Sequence, residues 1–286
     1  MPTEINLTPT GSSFQIADDG QRITGRTWGT ASECRSACLL IHGLAAHSGW
    51  FEGIGRRLKV RRIFALTYDQ VGFGKRINQR FSSRQQWLSD LRCVYQHLKE
   101  MVGDKPVYLL GNSMGAVVAL AAGQSLQPSG LILASPGFEG YPATFTPLWR
   151  LRVTAQAFLR PDTLVDLPYT NTSRDKAVER WLDQDQEKRF RIPALMLLEL
   201  LRLNRETQQQ AKQVDLPLMM LTAGLDRVVD NRVNAQLFAK FGSAQKKHRH
   251  FPEAYHDLMF DPVLDDLVAE VADWMSESQP EKLLTG

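Results

Sequence analysis

Residues 107–118 have the sequence Val-Tyr-Leu-Leu-Gly-Asn-Ser-Met-Gly-Ala-Val-Val, and these twelve residues indicate the fold class most clearly. Its first four residues form a short apolar run typical of a buried strand, and the residues from Met114 onward predict a helix rich in Ala and Val. Between them lies Gly111 to Gly115, a G-x-S-x-G pattern. A turn this tight brings side chains close to neighbouring backbone, so both flanking positions require glycine, and it lifts the hydroxyl of Ser113 to the positive end of the helix. This context favours Ser113 as a nucleophile over an ordinary turn serine.

Other short apolar runs predict the sheet to which this strand belongs. They lack the alternation of half-exposed strands and are followed by helical patterns, which indicates a parallel sheet covered on both faces. The runs are Ala37–Ile41, Ile63–Tyr68, Val107–Leu110, Leu131–Leu133 and Leu218–Thr222, and the last predicted strand, Lys246–Phe251, is almost wholly polar. The predicted helices are Gln85–Met101, Met114–Gln124, Arg232–Phe241 and Val263–Ser276. Two earlier runs, Phe14–Ala17 and Ile23–Trp28, flank Asp18-Asp19-Gly20 and predict a β-hairpin.

The stretch from Phe138 to Arg205 interrupts this alternation of strands and helices. It has helical patterns but no strand pattern, and structureless loops of this length are rare in compact domains. We therefore expect an α/β core formed by residues 1–137 and 206–286, and a helical cap inserted at residues 138–205.

Composition excludes several classes of protein. Of the 286 residues, 43% are hydrophobic and 23% are charged, and the net charge is +3, as in ordinary globular proteins and unlike disordered chains. The three cysteines, Cys34, Cys38 and Cys93, lack metal-ligand spacing and are an odd number, which favours a reducing compartment over a disulfide scaffold. We expect no metal and no cofactor.

The terminal segment, the apolar runs and the charge clusters limit where the protein is located and what it binds. The first residues lack the basic and apolar regions of a signal peptide, and no apolar run reaches the roughly 18 residues that a membrane span needs. Two basic clusters, Arg56–Arg62 and Lys246–His250, are interpreted as solvated surface and strand-edge charge rather than contacts with phosphates. We expect a cytoplasmic protein, a monomer or homodimer, with no nucleic-acid partner and at most peripheral contact with membranes.

Two further residues complete a nucleophilic site. A serine hydroxyl needs a base that a third group orients. His256 follows the last predicted strand, where a doubly wound sheet gathers its catalysts, and we favour it as the base over an ordinary surface histidine. Asp226 follows the strand Leu218–Thr222 and is the predicted orienting acid. Asp230 is the alternative, but we interpret it as the N-cap of the next helix.

His42-Gly43-Leu44 directly follows the strand Ala37–Ile41. Acyl transfer creates an oxyanion that needs fixed hydrogen-bond donors. We expect the backbone N–H groups of Leu44 and Met114 to supply them. The alternative is that this tripeptide is only a turn that ends the strand.

Together these residues resemble an α/β-hydrolase of the monoacylglycerol lipase, lysophospholipase and serine aminopeptidase group. The matching stretches, in the order of the family, are His42–Ser48, Tyr68–Gly74, Gly111–Gly115, Gly224–Asp226 and His256. The resemblance implies a mostly parallel, eight-stranded sheet with a helical cap, a serine esterase or lipase activity, and no cofactor. Four positions depart from the family pattern without removing a catalytic group: Ala46 replaces Glu, Asn112 replaces His or Tyr, Ala116 replaces Gly, and Arg76 replaces Ser.

The predicted cap indicates the substrate. It is rich in Phe, Trp and Leu, and such side chains can enclose an acyl chain. The residues expected to face the pocket are Phe138, Phe145, Trp149 and Leu159. The alternative is that these side chains form the core of the cap itself. We therefore expect a small-molecule hydrophobic ester as the substrate.

The predicted function is hydrolysis of this ester through an acyl-enzyme on Ser113, with His256 as base and Asp226 as orienting acid. A thioesterase or an aminopeptidase with the same triad is an alternative. An aminopeptidase needs an acidic group in the cap to hold a free amine, for which Glu139 and Asp162 are the candidates. A non-catalytic binding protein with the hydrolase fold is the alternative from another class.

Overall fold

A computed structural model describes residues 10–18, 21–168 and 172–278. The strands are β1 Ser12–Asp18, β2 Gln21–Trp28, β3 Ser36–Ile41, β4 Ile63–Tyr68, β5 Val107–Asn112, β6 Gly130–Ala134, β7 Leu164–Asp166, β8 Arg191–Pro193, β9 Leu218–Ala223 and β10 Lys246–Phe251. The α-helices are α1 Glu52–Val60, α2 Arg84–Val102, α3 Met114–Leu126, α4 Pro147–Leu159, α5 Lys176–Gln184, α6 Ala194–Gln209, α7 Asn231–Lys240 and α8 Leu264–Glu277.

Eight of these strands form one sheet in the order β1-β2-β4-β3-β5-β6-β9-β10. The strands from β4 to β10 along this order pair in parallel, and β2 pairs antiparallel with both β1 and β4. The predicted fold class, a mostly parallel eight-stranded sheet, is confirmed. The predicted hairpin is present as the β1–β2 pair, although Asp19 and Gly20 of its turn lie outside the described residues.

The central strands are continuous apolar runs because both faces of the sheet are covered. Every residue of β3, β4, β5 and β9 is buried. Successive side chains enter opposite layers: Leu39 and Leu109 join the core on the side of α2 and α3, whereas Leu40 and Leu110 join the core on the side of α1 and α8. The sheet therefore holds the carboxyl ends of its parallel strands at one fixed edge.

The edge strand β10 is polar because it lies at the margin of the sheet. Residues 248–250 are exposed, and only Phe251 of this strand is buried. Its parallel pairing with β9 brings Phe251 opposite Ala223. The chain that follows β10 therefore emerges beside the chain that follows β9.

The segment between β6 and β9 contains α4, β7, α5, β8 and α6. Our expectation that residues 138–205 hold no strand is wrong, because β7 and β8 form a two-stranded antiparallel sheet. Each of these strands has three residues with a single fully buried side chain, Val165 or Ile192, which is too short for a detectable alternation. The expected boundary at residue 205 falls inside α6, which continues to Gln209 and packs on α3 and α4.

Candidate active site

Ser113 stands between β5 and α3 with φ +54° and ψ −117°. A positive φ is rare for a residue with a side chain and stores strain that surrounding structure must hold. A Cβ on Gly111 would lie 2.3 Å from the carbonyl oxygen of Gly115, and a Cβ on Gly115 would lie 2.0 Å from that of Ile41. Both predicted glycine requirements are therefore confirmed, and the half-exposed Ser113 sits at the N-terminus of α3.

Asp226 and His256 meet at the end of the sheet. The Nδ1 atom of His256 lies 2.8 Å from Oδ2 of Asp226, and both side chains are buried. The other carboxylate oxygen accepts the backbone N–H groups of Val228 at 2.8 Å and Val229 at 3.0 Å. Burial opposes the charged form of the ring, but the carboxylate outweighs it and raises the pKa of His256 above its ordinary value.

The alternative acid, Asp230, has a different role. It is the N-cap of α7, and its carboxylate accepts the backbone N–H of Arg232 at 3.0 Å. The same carboxylate pairs with the guanidinium of Arg232 at 2.8 Å. The interpretation of Asp230 as a helix cap is confirmed.

Ser113 and His256 line one cavity. Because β5, β9 and β10 are parallel to their neighbours, the segments after them gather at the same edge of the sheet. Within the described part of the chain, the two side chains make no hydrogen bond to each other. Catalytic hydrogen bonds are often long before substrate binds and tighten in the complex.

The two predicted oxyanion donors lie beside Ser113. Leu44 and Met114 line a second cavity together with Ser113. Throughout the described residues, neither of their backbone N–H groups donates a hydrogen bond within the backbone. Both groups are thus available to an oxygen bound near Ser113.

His42 holds the turn that carries Leu44. The backbone N–H of Gln70 donates to Nε2 of His42 at 3.0 Å, so the ring proton is on Nδ1 and is donated to the carbonyl oxygen of Gly43 at 2.8 Å. Burial lowers the pKa of His42 to about 4, which keeps the ring neutral at pH 7. The ring is therefore a neutral structural link rather than a second base.

The cavity beside Leu44 and Met114 is largely apolar. It is lined by side chains from both the segment 138–205 and the core, among them Phe145, Trp149, Leu197, Leu200, Val228 and Val229. The rings of Phe145 and Trp149 pack edge to face with their centroids 5.1 Å apart. Glu139 and Arg150 also line this cavity and form an ion pair with each other.

Two of the four predicted pocket residues are placed elsewhere. Phe145 and Trp149 line the apolar cavity, but Phe138 is buried in the core against Phe241, with ring centroids 6.2 Å apart. Leu159 is 81% exposed. It is the last residue of α4, about 15 Å along the helix axis from Trp149, and so lies beyond the part of the helix that passes the cavity. Phe138 and Leu159 therefore line neither of the two cavities beside Ser113.

The cavity shared by Ser113 and His256 has a polar lining that sequence analysis missed. Its charged side chains are Asp166, Glu179, Asp183, Lys188, Arg189 and Asp257. Burial raises the pKa of both Glu179 and Asp257. Only Asp257 offered a signal in the sequence, because it directly follows His256.

The Leu residues of α6 belonged to a visible helical pattern, but the pattern could not tell which of them face the apolar cavity.

A sheet of this topology, with a strained serine turn and an aspartate–histidine pair at one edge, is the arrangement of the α/β-hydrolases, and the chain is one of them. Residues 32–263 match the family model described as "Hydrolase_4: Serine aminopeptidase, S33". The chain belongs to this family.

Three relatives illustrate the similarity. The monoglyceride lipase of Mus musculus is 25% identical over 266 residues, which cover 90% of this chain and 88% of the relative. The monoglyceride lipase of Homo sapiens is 25% identical over 297 residues, which cover 97% and 96%. A soluble variant of the Saccharomyces cerevisiae monoglyceride lipase, solved with a substrate analogue, has a TM-score of 0.87 at 17% identity and covers 98% of this chain and 100% of its own. The chain is an enzyme of the esterase and lipase class.

The described residues hold neither a candidate metal site nor a candidate membrane span. Residues 10–18, 21–168 and 172–278 contain no group of three or more His, Cys, Asp or Glu side chains that could hold a metal ion. In the same ranges, no helix has the length and apolar character needed to cross a membrane.

Proposed function

We propose that the chain hydrolyses carboxylic esters of hydrophobic acyl chains through an acyl-enzyme on Ser113, with His256 as general base and Asp226 as the group that orients it. One observation carries the proposal: the ring of His256 is held by Asp226 and lines the same cavity as Ser113. The Asp226 carboxylate accepts a hydrogen bond from Nδ1–H, which leaves Nε2 of His256 with a free electron pair for the serine proton.

The reaction then proceeds in two halves. The oxygen of Ser113 bonds to the ester carbonyl carbon while its proton passes to Nε2 of His256. The resulting oxyanion is stabilised by the N–H groups of Leu44 and Met114. When the carbon–oxygen bond to the alcohol breaks, Nε2 returns the proton to the departing alcohol. Water repeats the sequence on the acyl-enzyme and releases the acid.

The two cavities suggest how an ester is oriented. His256 must reach the departing alcohol, and it lines the polar cavity but not the apolar one. The alcohol therefore occupies the polar cavity, and the acyl chain occupies the apolar cavity beside Phe145 and Trp149. An ester with an apolar acid and a polar alcohol fits both.

Charge in the polar cavity favours a neutral polyol over a phosphate-bearing alcohol. Four of its charged side chains are acids, whereas its cations are Lys188 and Arg189. The guanidinium of Arg189 already donates to the carbonyl oxygens of Gly72 and Ile77 at 2.6 and 3.1 Å. A phosphate would face carboxylates with little compensation, while hydroxyl groups would find acceptors. Monoacylglycerols fit these conditions better than lysophospholipids, in agreement with the names of the three relatives described above.

The aminopeptidase alternative receives little support. Of its two candidate acids, Glu139 is paired with Arg150, and Asp162 is exposed and lines neither cavity. The binding-protein alternative is disfavoured because serine, histidine and aspartate all retain suitable positions.

We further propose that residues 138–205 act as a cap over the site and as a peripheral contact with membranes in the cytoplasm. Both α4 and α6 contribute lining to the apolar cavity. Four large apolar side chains of α4 are exposed, namely Leu148, Leu151, Phe158 and Leu159. Exposed apolar clusters of this kind mark contact surfaces, and Arg152 and Arg160 lie close by in sequence. None of the three cysteines forms a disulfide bond within the described part of the chain, which suits a reducing compartment.

Labelling with a fluorophosphonate probe tests the proposed function. We expect the purified chain to be labelled and to hydrolyse a monoacylglycerol faster than the lysophospholipid with the same acyl chain. Folded S113A protein should show neither labelling nor hydrolysis. Labelling of S113A at the wild-type rate, or no labelling of the folded wild type, would contradict the proposal.

A further inference from the structure

A short segment of the predicted cap grips the loop that carries Leu44. We call residues 185–189 the clasp segment and residues 43–50 the oxyanion loop. The Oδ2 atom of Asp185 accepts the indole N–H of Trp50 at 2.8 Å and lies 2.8 Å from Nε2 of His47. At the other end of the clasp segment, the backbone N–H of Arg189 donates to the carbonyl oxygen of Ala45 at 3.0 Å. Two separate anchors thus join the clasp segment to the oxyanion loop.

The ring of His47 is the centre of the first anchor. Its Nδ1 lies 3.1 Å from the backbone N–H nitrogen of Gly49 and 3.2 Å from Oε2 of Glu187. Its Nε2 lies 2.8 Å from Oδ2 of Asp185, and because a carboxylate can only accept, Nε2–H is the donor of this hydrogen bond. Both side chains are buried, with 6% and 7% of their surface exposed. Burial alone would raise the pKa of Asp185, but the hydrogen bonds from His47 and Trp50 hold it below its ordinary value. Oδ1 of Asp185 accepts the backbone N–H of Glu187 at 3.0 Å, which fixes the clasp segment itself.

Backbone strain in the oxyanion loop makes these anchors necessary. Ala45 has φ +68°, a conformation that a residue with a side chain adopts only when its surroundings impose it. Ala45 directly follows Leu44, so the rotation about its N–Cα bond sets how the chain that carries the N–H of Leu44 is oriented relative to the carbonyl group of Ala45. The carbonyl oxygen of this strained residue is the one that Arg189 binds.

Resting on the proposed function, we infer that the clasp segment positions the N–H of Leu44 for the oxyanion, with Asp185 acting through His47 as a positioning residue. No anchor residue lines the apolar cavity, and Asp185 and His47 also line no part of the polar one. Ala45, Trp50 and Arg189 do line the polar cavity, so Asp185 and His47 are the anchor residues whose substitution leaves the lining of both cavities unchanged. Loosening the anchor should therefore slow the chemical step more than it weakens substrate binding. Loss of one hydrogen-bond donor to an oxyanion lowers kcat by a factor of about 10² to 10³. Misplacing a reacting group by about 1 Å lowers the rate by a factor of about 10².

The test compares D185A with D185N on a short soluble ester such as p-nitrophenyl butyrate. We expect D185A to lower kcat at least about 10-fold while KM changes less than about two-fold. D185N should recover most of the activity, because its amide oxygen can still accept from His47 and Trp50. The exposed Asp162, which also lies in the predicted cap, offers a matched control, and D162N should leave kcat unchanged. Each kcat is divided by the number of sites that a fluorophosphonate labels to completion, so unfolded protein does not count.

A second variant tests the route through His47. If Asp185 acts through this ring, the D185A/H47A double variant should be no slower than the slower single variant. An unchanged kcat per labelled site in D185A would overturn the inference, as would multiplicative effects in the double variant. S113A separates the two claims: if it abolishes hydrolysis while D185A retains full kcat, only the positioning role fails.

Discussion

The imidazole of His256 has opposing influences on its charge. Burial favours the neutral ring, whereas Asp226, 2.8 Å away, favours the protonated ring and prevails. A general base must be unprotonated to accept the proton of Ser113. The side of the pH profile that this ring controls is therefore the acidic side, with a midpoint above the ordinary value of 6.5.

The first prediction concerns D226N. We expect kcat to fall by about 10⁴ because the ring loses the partner that fixes its orientation and tautomer. Since the carboxylate is what raises the pKa, the acidic midpoint of kcat/KM should also move to lower pH. The measurement is a pH profile between pH 5 and 9 on p-nitrophenyl butyrate for wild type and variant. An unshifted midpoint would show that another group controls this limb.

We expect Arg76 to contribute strongly to stability, because its guanidinium is buried in an ion pair. It donates to Asp90 at 2.6 and 3.1 Å and to the carbonyl oxygen of Asp69 at 3.0 Å. Only 1% of its side chain is exposed. Removing one partner of a buried ion pair leaves a desolvated charge behind, which is far more costly than losing an exposed pair.

We therefore predict that R76M lowers the free energy of unfolding by about 3–5 kcal/mol. Methionine keeps most of the stem volume, so the loss reflects the charge. R191M is the matched control, because Arg191 pairs with Asp166 where 56% and 80% of the two side chains are exposed. It should change stability by less than about 1 kcal/mol. Urea denaturation measures both, and equal losses would contradict the argument from burial.

Helix α4 contributes one aromatic side chain whose contribution to substrate binding depends on the length of the acyl chain. Trp149 lines the apolar cavity and packs against Phe145. An acyl chain gains about 0.8 kcal/mol for each methylene group that it buries, whereas an acetyl group gains almost nothing. The effect of removing Trp149 should therefore grow with the length of the acyl chain.

The third prediction is that W149A lowers kcat/KM for p-nitrophenyl dodecanoate about 10-fold more than for the acetate, equivalent to two lost methylene contacts. The acetate serves as the internal control for folding and for the chemistry at Ser113. Equal losses on both esters would show that Trp149 supports the site in another way.

How well each element could be predicted depended on what determines its burial. The central strands were predicted to within two residues at each end, because covering both faces of a sheet requires continuous apolar runs such as Ile63–Tyr68. Helix α1 was missed because two glycines and two arginines obscure its pattern, namely Gly53, Gly55, Arg56 and Arg57. The strands β7 and β8 have three residues each, which is too few for periodicity to appear.

How well the residues of the candidate site could be predicted also depended on whether local sequence or tertiary packing positions them. Ser113, Asp226 and His256 were predictable because each lies within five residues of the end of a strand, and the carboxyl ends of these strands lie at the same edge of the sheet. The apolar cavity was predictable only in part. Composition indicated aromatic residues, but the packing of α4 and α6 decided that Trp149 faces inward while Leu159 faces solvent. The Asp185–His47 contact spans 138 residues and left no signal in either local sequence.

The exposed apolar residues of α4 form a surface through which we expect the intact protein to bind membranes. We expect the L148E/L151E double variant to bind phosphatidylcholine vesicles several-fold more weakly than wild type, because two charges replace apolar side chains that are 75% and 66% exposed. The measurement is co-sedimentation with the vesicles. V60E is the control, since Val60 is 81% exposed on α1 of the core. Equal weakening by V60E would show that net charge, rather than the face of α4, governs binding.

The polar margin at β10 has a consequence for how copies of this molecule behave when crowded. An unpaired sheet edge offers a template on which another chain can add a strand, and cationic side chains along that edge discourage the addition. Lys246, Lys247 and Arg249 occupy half of this six-residue strand. Glu270 of α8 pairs with Lys247 at 3.1 Å and with Arg249 at 3.7 Å, and this single acid leaves the edge with an excess of positive charge. Two copies meeting there would bring this excess charge together, so concentrated protein should resist growing into fibrils from this end.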